Sequence, residues 1–168
     1  MNFNIQTKDF PESFYVFVEI PQGSNTKLEY KPDVDNIVLD RILFTSMVYP
    51  TSYGFVLNTK AKDGDPLDVL VISSVPVPSG AILKCRAIGI AEMSDEEGSD
   101  NKVIAVPLDK VDPMSSEYDD VNSIPEAVKN KIKHFFEHYK ELEKGKFMTF
   151  HDFKGKDEAK KQIKESSL

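Results

Sequence analysis

The chain has 168 residues, with 28 acidic against 21 basic side chains, a net charge of −7 and a single cysteine, Cys85. That balance argues against general attraction to nucleic acid or an anionic membrane, both of which need a basic face. One cysteine rules out an internal disulfide and fits a reducing compartment. No apolar run approaches membrane-spanning length, and Glu19 interrupts the first apolar stretch, so no secretory leader pattern is visible. One cytoplasmic domain over residues 1–168 is the expectation.

In chain order, Phe14–Ile20 is rich in β-branched and aromatic residues and predicts a strand ending in Glu19-Ile20. After the Pro21–Asn25 turn, Lys27-Leu28-Glu29-Tyr30 alternates so that Lys27 and Glu29 share one face of a strand. Ile37–Phe44 predicts another strand, interrupted by Asp40 and Arg41, and Tyr49–Phe55 brackets a proline turn with two tyrosines. Asp63-Gly-Asp-Pro-Leu-Asp68 then places three carboxylates just before the apolar run Val69–Ile72. A connector, Val75–Gly80, leads to a long alternating strand over Ala81–Ala91, in which Cys85 is small core packing. A second acidic turn, Asp95–Lys102, precedes the strand Val103–Val106.

Helix is predicted only late. Ser123–Glu126 has the spacing of a capping box, and Val128, Ile132, Phe135, Tyr139 and Leu142 form one apolar stripe ending before Gly145. The charged segment 155–168 predicts a peripheral helix that frays. Strands followed by helices, without βαβ alternation, predict an α+β fold, mainly β: a five-stranded OB-like barrel with helices packed outside.

Crowded carboxylates repel and raise one another's pKa values unless cations or solvent offset them. A lone Asp-x-Asp is most simply a solvated turn. An EF-hand is excluded, because its glycine position holds Asp68 and its final glutamate position holds Ser74. The full inventory is a mixture: Asp63, Asp65, Asp68, Asp95, Asp100, Glu19 and Glu29 against Lys27, Arg41, Lys102 and Lys140. Carboxylates suit hard divalent cations, whereas Lys, Arg and Tyr hydroxyls suit phosphate oxygens. Metal-assisted attack of water on a phosphoryl group is the chemistry that uses both. A metal-dependent phosphodiesterase and a non-catalytic OB module are the alternatives on composition alone.

The motif Asp63-Gly-Asp-Pro-Leu-Asp-Val resembles the signature of the soluble family I inorganic pyrophosphatases, short bacterial type. The resemblance extends in order through Val18-Glu-Ile-Pro, Lys27-x-Glu29, Asp40-Arg41, Tyr49-Pro-x-x-Tyr53-Gly, Asp95-Glu-x-Gly-x-Asp100-x-Lys102 and His134-Phe-Phe-Glu-His-Tyr-Lys140. It implies hydrolysis of pyrophosphate to two phosphates with several Mg²⁺ ions, Mn²⁺ or Zn²⁺ substituting and Ca²⁺ inhibiting. By similarity, Asp63, Asp68 and Asp100 hold the tightest ion, and Asp95, Glu19 and Glu29 serve others. Asp65 is the base, Lys27, Arg41, Tyr53, Tyr139 and Lys140 grip the phosphoryl groups, and Lys102, Tyr49 and Glu96 support. The chain departs from the family at Ser52 (usually asparagine), Leu28 (often tyrosine) and Phe147 (often tryptophan). The family also implies a homo-oligomer, a hexamer. His134 and His138 on one helix face would lie at a subunit contact that weakens in mild acid.

Overall fold

The computed structural model describes residue 1 and residues 3–168. Its strands are β1 (Phe14–Ile20), β2 (Thr26–Lys31), β3 (Asn36–Ile42), β4 (Ser52–Val56), β5 (Asp68–Val71), β6 (Ile82–Asp95), β7 (Gly98–Ser99), β8 (Lys102–Pro107) and β9 (Met148–Gly155). The helices are α1 (Glu126–His138) and α2 (Lys156–Glu165). The strands β1-β4-β5-β8-β6 pair in that order, and β6 pairs again with β1. This closes the expected five-stranded ring. Among the described strands only β5 and β8 run parallel, with Val69 opposite Val103. β7 and β9 extend the far end of β6, while β2 and β3 form a separate hairpin.

Alternation along the strands feeds two helix-covered cores, beside a smaller cluster of Phe17, Phe55 and Leu57. Leu70, Ile104 and Val106 join Ile132, Phe135 and Phe136 of α1 in one cluster. Val69, Val71, Val103 and Ala105 join Ala159 and Ile163 of α2 in another. Each fully buried aliphatic side chain contributes roughly 1.5–3 kcal/mol. Register shifts interrupt the period of two in β1, β2 and β6, one of them between Ala87 and Gly89 in β6. Ile88 keeps its place on the α1 side, whereas the shift at Ala87/Gly89 brings Ile90 to the side of Cys85 and Ala87. Two glycines permit close backbone approach. A Cβ at Gly54 would lie 1.9 Å from the Phe17 carbonyl oxygen, and one at Gly89 would lie 2.8 Å from that of Lys154.

The helical region differs from expectation. α1 ends at His138, well before Gly145, so Leu142 falls off the stripe and is 64 % exposed. Phe136 is buried instead, edge-to-face with Phe135 at 5.1 Å. Ser123 does not cap α1. It exchanges bonds with Asp120 around a 3₁₀ turn, Val121–Ser123, and Pro125 stands at the helix entrance without a side-chain cap. Nor is the last segment merely peripheral. Ala159 and Ile163, four residues apart on a helix otherwise dominated by charge, are fully buried and dock α2. β9 lies in a stretch given no element above; Met148, Phe150 and Phe153 supply its apolar contacts. Among the described residues no helix is long and apolar enough to cross a membrane.

Candidate active site

The first acidic turn is closed at its base by Thr59. Its hydroxyl donates to the Val56 carbonyl at 2.6 Å and accepts from the Leu67 amide at 3.0 Å, beside the Val56 N–H to Leu67 O bond of 2.9 Å. Within the turn, the Asp63 carboxylate accepts from the Asp65 amide at 3.0 Å, and the Ala61 amide donates to the Asp65 carbonyl at 2.7 Å. Gly64 takes φ +97°, a conformation that favours glycine. The result presents Asp63 and Asp65 to solvent and starts β5 at Asp68.

Lys102 is the hub. It is 2 % exposed, and its Nζ donates to Asp68 Oδ2 at 2.7 Å and to Asp100 Oδ1 at 2.9 Å. The parallel pairing of β5 with β8 brings the two turns to this one ammonium. Burial alone would lower its pKa, but Asp68 and Asp100 outweigh that and raise it, so the charge is secure. One ammonium shared by two carboxylates does not satisfy both. Burial, with Asp68 and Asp95 nearby, still raises the Asp100 carboxyl despite Lys102. Tyr53 donates its hydroxyl to Asp68 at 2.6 Å. Burial, then Asp68 and Asp100, hold that phenol well above its ordinary range, so it remains a donor.

Ser52, next to Tyr53, is fully buried, and its hydroxyl accepts from the amides of Gln22 and Val77, both at 3.2 Å. It thus pins the two turns flanking Tyr53, the task that falls to it where asparagine is usual.

On the β1–β2 side, Glu19 accepts from the Tyr30 amide at 2.8 Å. Burial, with Asp68 and Glu29 close by, pushes its carboxyl up to about 7 against the opposing Tyr30 bond. Glu29 behaves oppositely. Burial would raise it, but hydrogen bonds from Lys27 and Lys31 hold it low. The Asp65 carboxyl is raised by burial and then by the charges of Asp63, Asp68 and Glu29.

The cations expected to meet phosphate are individually aimed. Arg41 Nη1 donates to Asp40 at 2.6 Å, and Nη2 donates to Glu143 at 3.3 Å. Arg41 Nε is 2.8 Å from Glu143 Oε1, an ion pair without hydrogen-bond alignment. Lys140, buried, points at Glu96 at 3.4 Å and Asp95 at 3.9 Å. Glu96 in turn is held down to about 2, burial being outweighed by a bond to its own amide and by Lys146 and Lys140. Tyr139 stacks on Phe135 at 4.9 Å, and burial lifts its hydroxyl to about 12, with Lys102 opposing and Asp100 assisting. Tyr49 supports by ring packing, 4.7 Å from Phe135 and 5.7 Å from Tyr53.

Of the residues singled out from sequence, Asp68, Asp100 and Tyr53 meet at Lys102, Lys140 faces Asp95 and Glu96, Lys27 pairs with Glu29, and Asp63 and Asp65 stand exposed on their turn. Glu143 was missed. It follows α1 in a turn and meets Arg41 across 102 positions, so no local pattern marks it. Asn101, between Asp100 and Lys102, was also missed as a side chain of consequence.

The acidic donors are all hard oxygens, and Glu19, Asp65 and Asp100 are carboxyls whose burial and mutual repulsion the protein's own cations leave uncompensated. Among the described residues no three acidic or imidazole groups close around one point; Lys102 occupies the space between Asp68 and Asp100. The donor chemistry fits a hard divalent cation.

The family model described as inorganic pyrophosphatase matches residues 16–168. The inorganic pyrophosphatase of Thermoplasma volcanium is 68 % identical over 165 residues, covering 98 % of each chain. That of Aquifex pyrophilus is 52 % identical over 157 residues, 94 % of this chain and 89 % of the other. The crystal structure of inorganic pyrophosphatase from Thermus thermophilus superposes with a TM-score of 0.94 at 39 % identity, covering 98 % of this chain and 95 % of that one. These matches run nearly end to end and include both carboxylate turns, the Lys102 hub and α1, so the chain belongs to the inorganic pyrophosphatase family, metal-dependent hydrolases that cleave diphosphate to phosphate.

Proposed function

We propose that Mg²⁺ is the working ion of this pyrophosphate hydrolysis, that Mn²⁺ or Zn²⁺ can replace it, and that Asp65 is the general base. The observation that carries this reading is the junction at Lys102, where two carboxylate turns meet and Tyr53 adds its hydroxyl. Asp63, Asp68 and Asp100 would hold the first ion, and Asp95, Glu19 and Glu29 would serve the others. Such ions, when bound, polarise phosphoryl oxygens and acidify water. Asp65 accepts the water's proton as the oxygen attacks phosphorus and the bridging P–O bond breaks. Lys27, Arg41, Tyr53, Tyr139 and Lys140 hold the two phosphoryl groups, and Arg41 does so with its fork steered by Asp40 and Glu143. Lys102 keeps the carboxylates together, and Tyr49 and Glu96 brace the walls.

Phosphate release from pyrophosphate with Mg²⁺ is expected to exceed release from ATP or a phosphodiester; the reverse order would assign the site to another phosphohydrolase. Ca²⁺ added to the Mg²⁺ enzyme is expected to inhibit. It takes looser, higher coordination than octahedral Mg²⁺, and a misplacement of about 1 Å can cost on the order of 100-fold. Hydrolysis with Ca²⁺ alone at the Mg²⁺ rate would refute this site geometry. We further propose a homohexamer with His134 and His138 at a contact; their rings lie 4.7 Å apart, and His138 Nδ1 is 2.9 Å from Glu141. A mass of one subunit by light scattering would refute it.

A further inference from the structure

The two acidic turns lie beyond the end of the ladder that joins them, since the β5–β8 pairing begins at Val69 opposite Val103. The segment Lys156–Leu168 adds bonds to the chain beside each of them. On one side, Gln162 Oε1 of α2 accepts from Asn101 Nδ2 at 3.4 Å, while Asn101 Oδ1 accepts from the Met93 amide at 3.1 Å. Asn101 is thereby held from two directions, and Asp100 and Lys102 flank it. On the other side, residues after α2 pair with the chain entering the first turn. The Lys60 amide donates to Ser166 O at 2.7 Å, the Leu168 amide donates to Asn58 O at 3.1 Å, and Thr59 bridges Ser167. Between the turns and this segment runs a cavity of about 310 Å³, lined by Asp63, Asp68 and Asp100 on one wall and by Gln162, Glu165 and Ser166 on the other.

We propose that Lys156–Leu168 is a positioning element of the metal cleft, with Gln162 as its positioning residue. By fixing Asn101 through Gln162 and the Asn58–Lys60 backbone through Ser166 and Leu168, it sets the separation of Asp63 from Asp68 and Asp100. Ala159 and Ile163, fully buried, anchor α2 independently of these bonds. The docking of the helix and the aim of the carboxylates are thus separable functions of one segment. The inference rests on the assignment of those carboxylates to a divalent cation.

Two variants test it: Gln162→Met, which keeps length and packing but loses the acceptor amide, and a chain shortened after Glu165. Mg²⁺ titration by calorimetry, without substrate, is expected to show binding weakened about tenfold in each, the scale on which partners of metal ligands act. Melting in EDTA should stay close to the parent, because the Ala159 and Ile163 anchors remain. Mg²⁺ affinities within about twofold of the parent overturn the positioning role. So does weakened binding matched by a comparable loss of melting temperature in EDTA, which assigns the segment to stability alone. A parent that binds no Mg²⁺ overturns the metal assignment itself, and the positioning role with it, whereas a binding parent with unaltered variants overturns only the latter.

Discussion

Asp65→Asn is expected to leave the fold and most cation binding standing and to cut kcat by about 10²–10⁴-fold, the range typical of a general base. Asp65 differs from its neighbours in one respect that matters. Asp68 is engaged by Tyr53 and Lys102, and Asp63 caps the turn through the Asp65 amide. The Asp65 carboxylate faces solvent and is spoken for by no such bond among the described residues. Its carboxyl is also raised, through burial and the charges of Asp63, Asp68 and Glu29, which makes it a better proton acceptor than an ordinary aspartate. A base works only when deprotonated, so activity should fall in acid as Asp65 takes up a proton. The acid limb of kcat should vanish in the variant. Asparagine keeps the shape but cannot take the proton. Turnover near the parent at neutral pH, with Mg²⁺ binding intact, would remove Asp65 from this role.

The legibility of this chain in sequence followed how local each determinant is. The Asp63–Asp68 turn was readable because Gly64, Pro66 and the apolar run after Asp68 all act within a few residues. The five-stranded ring followed from strand lengths and the late helices. Family motifs further named Asp68 and Asp100, the two carboxylates that meet Lys102, since family resemblance carries long-range information that periodicity does not. What was missed depends on contacts far apart in the chain. Glu143 has no signature until the fold brings it to Arg41. The docking of α2 rests on only Ala159 and Ile163 within a lysine-rich helix, so charge masked the stripe. The end of α1 at His138 was hidden by an apolar period that continues through Leu142 even though the backbone does not. Similarly, Ser123 satisfied the spacing of a capping box, but Asp120 captured it first.

Lys102→Met is expected to be the most disruptive single change at the junction in metal-free protein. The replacement retains the buried stem and removes the charge that holds Asp68 and Asp100 together. Removing one partner of a buried ion pair costs about 3–5 kcal/mol; the lower end applies here, because Asp68 and Asp100 retain 30 % and 22 % side-chain exposure. For a chain of this size, about 3 kcal/mol corresponds to a melting temperature roughly 6–12 °C lower in EDTA. The pH dependence has a definite sign. In the parent, the folded-state pKa of Lys102 is raised, so its contribution is present below the ordinary lysine value and is lost only in strong alkali. It is therefore constant across neutral pH. In the variant, the Asp100 carboxyl, already raised by burial, rises further without its cation. A carboxyl raised in the folded state favours folding in acid, and that advantage disappears as pH climbs through its folded pKa. The deficit of Lys102→Met should thus be smaller at pH 5 than at pH 8. Mg²⁺ supplies the missing positive charge, so adding it should raise the melting temperature of the variant more than that of the parent. A deficit that ignores both pH and Mg²⁺ would mean that Lys102 acts here through packing, and the electrostatic account of the junction would fall.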